Sequence, residues 1–292
     1  MQSGVPLIAQ VNKDRQDTSM NPAAPALQPL GMSAFDDLVQ GAQEWRLWGR
    51  LGWLDIKRRY RRTLVGPFWS ALALFIFVMV LGSVGSGLWS QQSADYLPFL
   101  VAGMVVWVML SNTIIEGGTV FVSGGGLIRQ KNFPYSILVY ALVWRNLIVF
   151  LHNLIVYVVI MLIYMPHSLT PKLLLAIPAL LLLMINGVWI VLILGVLTAR
   201  FRDIQQIVQT IVQVSMFVTP LFWPPDKLTG LRRLVFVVLN PLYHMLSIAR
   251  DPLLDRTPSL SSYGAVLIIT GVGWTAGFLV YRRFRRRIAY WL

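Results

Sequence analysis

From residue 67 onward the chain alternates long apolar runs with short polar segments. A helix needs about 20 apolar residues to cross a bilayer. Five runs reach that scale without a charged residue: Pro67 to Leu88, Leu97 to Ile115, Leu173 to Thr198, Ile204 to Pro225 and Tyr263 to Tyr281. A sixth, Tyr135 to Met165, carries Arg145 near one end, where a long side chain can snorkel to the interface. The pattern predicts an all-α integral membrane protein with six transmembrane helices and both termini on one side.

Two segments depart from this rhythm. Pro224 to Ser262 mixes apolar stretches with Pro, Asn and Arg, and Leu234 to Leu239 is too short to span. One or two short re-entrant helices at the outer face are expected there, tolerated only where protein covers their backbone. Before the first span, Glu44 to Arg62 reads as an amphipathic interfacial helix. At 100° per residue, Arg46, Arg50, Lys57 and Arg61 share a narrow stripe, while Trp45, Trp48, Leu51, Trp53, Ile56 and Tyr60 cover much of the rest. The expected organisation is a disordered tail at 1–40, rich in Pro, Ala and Gln, the interfacial helix at 41–66, and the membrane domain at 67–292. The first forty residues lack the continuous apolar core of a cleavable signal peptide.

Composition narrows the class. The chain is 56% hydrophobic and 13% charged, with mean hydropathy +0.64. A soluble domain does not need that much apolar surface. The net charge of +13 would suggest nucleic acid in a soluble chain. Here the cations flank apolar runs, so lipid headgroups and topology explain them and no nucleic acid is expected. With cytoplasmic termini, inside segments hold 18 of the 25 Lys and Arg residues and outside segments hold six. That asymmetry predicts N-in, C-in. With no cysteine, disulfides and thiolate sites are excluded.

Candidate chemistry is sparse. Lys57, Arg58, Arg59, Arg61 and Arg62 cluster in six residues. Anchoring and topology account for such a cluster; the sharper reading is attraction of an anionic, lipid-linked substrate, since phosphate favours forked guanidinium donors. Between spans two and three, Gly124-Gly125-Gly126 allows a turn. Leu127, Ile128, Arg129, Gln130, Lys131 and Asn132 can then form a short helix ended by Phe133-Pro134. No Lys-Ser/Thr follows those glycines, so they are not a nucleotide-binding loop. ATP and Mg, if used, belong to a separate subunit. Gln206, Gln209 and Gln213 form one polar face, expected at a helix contact, a conduit or a dimer surface. Trp107, Trp144, Tyr157 and Trp189 can stack on sugar rings if they line a conduit; packing or belt roles are the commoner use. His152, His167 and His244 lack metal-ligand spacing, and Glu116, Asp203, Asp251 and Asp255 form no evident acid/base pair. Neither a metal site nor an embedded enzyme is expected.

Four segments in order carry a resemblance. They are Asp55-Ile56-Lys57-Arg58-Arg59-Tyr60-Arg61-Arg62-Thr63 leading into Leu64-Val65-Gly66-Pro67-Phe68-Trp69; Leu127 to Pro134; Ala199-Arg200-Phe201-Arg202-Asp203-Ile204 continuing to Thr219-Pro220-Leu221-Phe222-Trp223-Pro224; and Asn240-Pro241-Leu242 followed by Arg250. With these, the chain resembles permease subunits of bacterial ABC exporters for lipid-linked polysaccharides of the O-antigen, capsule or teichoic-acid type. The resemblance implies a homodimer with a conduit between subunits and two copies of an ABC ATPase. It also implies a coupling helix at Leu127 to Pro134, a gate for the lipid diphosphate at Trp45 to Arg62, and gate helices within Pro224 to Ser262. The C-terminal arginines, Arg282 to Arg287, are read only as a topology anchor. An ABC permease for a small lipid, haem or drug, and an ATP-independent secondary transporter, remain as alternatives.

Overall fold

The computed structural model describes residues 32–88, 92–130, 133–166 and 170–292. All regular structure among them is helical. In chain order the α-helices are α1 (Ala34–Gln43), α2 (Trp45–Tyr60), α3 (Trp69–Leu88), α4 (Ser93–Gly118), α5 (Val120–Ser123) and α6 (Gly125–Gln130). They continue with α7 (Ser136–Tyr164), α8 (Ala176–Arg200), α9 (Ile204–Val218), α10 (Gly230–Arg233), α11 (Pro241–Leu253) and α12 (Leu260–Trp291).

Five helical segments are long and apolar enough to cross a membrane: 69–87, 93–118, 136–164, 171–200 and 260–291. The chain is therefore a multi-pass membrane protein. The expected span at Ile204 to Pro225 is a shorter helix of 15 residues. Pro220 cannot continue it, and 15 residues reach only about 22 Å, less than the hydrocarbon thickness. The apolar run ending at Tyr281 gives no hint that α12 continues unbroken through the arginines to Trp291.

α4 is the centre of the bundle. Leu100, Val101, Val105 and Val106 are fully buried, and the helix packs on α3, α7, α8, α9 and α11. α12 lies against α8, where Trp189 Nε1 donates to Asn186 and its ring packs on Gly273. A Cβ at 273 would fall inside that ring, so glycine is what lets the helices close. α2 lies along α7 through Gly52, where a Cβ would come 2.8 Å from the Ala141 carbonyl oxygen.

The expected tail of residues 1–40 lies outside the described residues as far as 31. Within the described residues, α1 spans the expected boundary at 40. Ser33 caps α1 by accepting from the Asp36 amide, while the Asp36 side chain accepts from the Ser33 amide and hydroxyl. The segment between α9 and α12 holds the short helix α10, a π-helical turn at Leu234–Val238, and α11.

Candidate functional site

The basic helix α2 turns one face inward. Gly52 and Ile56 are buried, and Arg59 follows on the same side, at spacings of four and three. Its outer side carries exposed Trp45, Leu47, Trp53 and Leu54. Arg46 lies over the Trp45 ring and Lys57 over the Trp53 ring, as suits a helix in a headgroup layer. Lys57, Arg58, Arg61 and Arg62 are exposed, whereas Arg59 is held.

The holding group is Glu116, near the end of α4. Its Oε1 accepts from Arg59 Nη2 at 2.6 Å and its Oε2 from Arg145 Nη2 at 2.7 Å. Arg145 Nη1 reaches back to Asp55 Oδ2 at 3.1 Å. With its amide turned to satisfy both ends, Asn146 donates to Glu116 Oε2 at 3.2 Å and accepts from Thr113. Two carboxylates and two guanidiniums thus tie α2, α4 and α7 together. Burial alone would lower the Arg59 pKa, but Glu116 outweighs it and holds the guanidinium above its ordinary value. Arg145 does not snorkel as expected; its side chain is 13% exposed and locked between two acids.

A cavity of about 580 Å³ opens beside this network. Arg58, Arg59 and Arg145 line it with Asp55 and Glu116, and its other wall includes Gly126 and Leu127 of α6. The basic helix and the expected coupling helix therefore share one hollow. α6 begins at Gly125, one residue beyond the turn at Gly124, so two of the three glycines are helical instead of forming the turn. Ile128 is buried, Arg129 is exposed, and Phe133 packs edge-on to Tyr135. Lys131, Asn132 and the Gln130 side chain lie outside the described residues.

Behind α6, a second carboxylate joins the ends of the chain. Asp37 of α1 is fully buried and accepts from the Tyr135 and Ser136 amides, both at 3.0 Å, at the start of α7. It also accepts from Tyr281 Oη at 2.9 Å and Arg285 Nε at 2.8 Å. A carboxylate at a helix N-terminus satisfies orphan amides and meets the positive end of the helix dipole. Arg285 is thus a buried structural cation, which corrects its reading as a mere topology anchor. No local signal marks this clasp, since its partners are separated by up to 248 positions.

The remaining candidates divide. Trp107 and Tyr157 are 4% and 1% exposed, with Tyr157 Oη donating to the Leu253 carbonyl. Trp189 is wedged against α12, and Trp144 packs edge-on to Trp48. Trp107 and Tyr157 are thus packed inside the subunit, whereas Trp144 and Trp189 are partly exposed. Gln206, Gln209 and Gln213 are exposed on α9. That helix buries only Val208 and Val212 and is fixed by Gln205 Nε2 donating to the Ile115 carbonyl. Gln205, absent from the expected polar stripe, is the glutamine that holds α9.

A helical bundle with five long apolar helices, and a basic helix ion-paired to it beside a short loop helix, is a multi-pass membrane protein. The chain matches the ABC-2 type transporter family over residues 46–254 and belongs to it. Membership implies an ABC ATPase as partner. Two relatives from Klebsiella pneumoniae, each named O-antigen export system permease protein RfbA, are 24% and 23% identical; each match covers 80% of this chain and 90% of the relative. A protein of the same name from Myxococcus xanthus is 23% identical, over 66% of this chain and 74% of its own.

Proposed function

We propose that this chain is the membrane subunit of an ATP-driven exporter that moves a lipid-linked polysaccharide of the O-antigen type across the bacterial plasma membrane. Two copies form the conduit. A separate ATPase carries ATP and Mg and docks two copies on the cytoplasmic side, where both termini lie. Family membership and the three O-antigen permease relatives support the substrate class. A polar glycan cannot cross hydrocarbon unaided, because its hydroxyls would lose water partners. A dimer interface supplies a polar path, and the exposed Gln206, Gln209 and Gln213 face supports α9 as one wall of it.

The observation that carries the mechanism is the Arg59–Glu116–Arg145–Asp55 network. Glu116 ends the helix that leads, through α5, into the coupling helix α6. A push on α6 by the closing ATPase displaces Glu116, and Glu116 holds the gate helix through Arg59. Arg58, Arg61, Arg62 and Lys57 remain free to meet the substrate diphosphate at the gate. α10 and α11 form the outer gate in re-entrant segments, and α9 with the chain after Thr219 completes a sixth crossing.

The test is surface glycan in a strain lacking this gene. Loss of surface polysaccharide with lipid-linked chains retained inside, restored by wild type but not by Glu116→Gln at equal membrane level, is expected. Intact surface glycan in the deletion strain contradicts the reading.

A further inference from the structure

A second cavity, of about 600 Å³, lies between the start of α1 and the basic end of α12. Its walls include Ser33, Leu279, Arg282, Arg283, Arg285 and Arg286. Among the described residues, one of the four guanidiniums has a carboxylate partner. Arg285 pairs with Asp37 and donates through Nη1 to the Met32 carbonyl at 2.8 Å. Arg282, Arg283 and Arg286 are exposed, and no carboxylate among the described residues lies within 4 Å of them.

The nearby acids are already committed. Asp37 serves Arg285, Tyr281 and two amides, while Asp36 serves the Ser33 amide and hydroxyl. Arg282 and Arg286 are four residues apart, and Arg283 and Arg286 three, so the free cations repel on one face. The opposite wall is the first turn of the ten-residue α1, whose dipole adds positive potential. The arginine wall therefore favours an anion with several acceptor oxygens.

The rim decides which kind of anion. Leu279 is 56% exposed, and Val272 and Ile268, 66% and 70% exposed, continue along the same helix at spacings of seven and four. An apolar stripe runs from the bilayer directly to the arginines, three, four and seven residues beyond Leu279. An acyl chain fits the stripe while a phosphodiester sits among the guanidiniums, whose forked donors suit it. We infer that this cavity is a binding site for an anionic phospholipid, with its headgroup between α1 and α12 and its tail along Ile268, Val272 and Leu279. The site is separate from the substrate gate on α2 and does not depend on the exported molecule.

The test measures binding of phosphatidylglycerol, phosphatidylcholine and glycerol phosphate to the purified full-length protein in detergent by native mass spectrometry. Arg282→Gln/Arg283→Gln/Arg286→Gln leaves the Asp37–Arg285 pair intact and should weaken phosphatidylglycerol binding by about tenfold or more. Removing the same charge elsewhere, with Arg202→Gln/Arg233→Gln/Arg256→Gln, should change it less than about twofold. Leu279→Gln, which removes the apolar contact without adding charge, should weaken the lipid while leaving glycerol phosphate unaffected. Equal losses in the two triple variants would reduce the site to general surface charge and overturn the proposal. Glycerol phosphate competing as strongly as the lipid, or phosphatidylcholine binding equally, would overturn the lipid assignment.

Discussion

Replacing Asp37 with alanine should be among the most damaging single changes in the chain. The side chain is fully buried and accepts from two amides, a phenol and Arg285, whose side chain is only 4% exposed. Removing it leaves a buried guanidinium without its counter-charge and two unpaired amides at the start of α7. Breaking one side of a buried ion pair costs about 3–5 kcal/mol. The lost amide bonds belong to the same network, so their cost does not simply add. Arg285→Met alone strands the carboxylate instead. The double variant removes both charges and keeps much of the arginine stem's volume, so it should be less destabilised than Asp37→Ala. Equilibrium unfolding in mixed micelles, followed by tryptophan fluorescence, reads these differences directly. A cost below about 1 kcal/mol for Asp37→Ala, or a double variant worse than either single one, would refute the reasoning.

Other consequences concern packing and pH. Gly273→Val should destabilise the α8–α12 contact by about 1–3 kcal/mol, because the new side chain collides with the Trp189 ring; the same unfolding assay checks it. In the loop before α12, Asp255 accepts from the Thr170 hydroxyl and pairs with Lys172 at 3.3 Å. The Thr170 hydrogen bond, and then Lys172, hold its pKa below the ordinary 3.8. A lowered carboxylate pKa stabilises the fold fully above that ordinary value, and the contribution is lost as pH falls through the folded one. Acid-dependent opening of this loop, followed by hydrogen exchange, should therefore begin at higher pH in Thr170→Val than in wild type.

The long spans were legible because a bilayer demands length and apolarity, and both are local properties of sequence. The same logic took Ile204 to Pro225 as one helix, whereas the helix ends at Val218, two residues before Pro220. A short helix in this loop was legible from its glycines and Phe133-Pro134, although it starts at Gly125 and not at Leu127. The ion network was only half legible. Glu116 and Arg145 stand near the ends of two spans, but nothing local says that those ends meet or that Arg59, of the five clustered cations, pairs with Glu116. The Asp37–Arg285 clasp was illegible, since its partners sit at opposite ends of the chain and look like a tail and an anchor. The aromatic residues show a related limit: composition places Trp107 and Tyr157 in membrane helices but does not tell a core face from a conduit face.

The most direct test is the ATPase activity of the permease co-purified with its ABC ATPase, comparing wild type with Arg129→Ala/Phe133→Ala. A stable wild-type complex whose activity is uncoupled, or whose subunits separate, in the double variant is the predicted result. Failure of any ATPase to co-purify with the wild type would contradict the account.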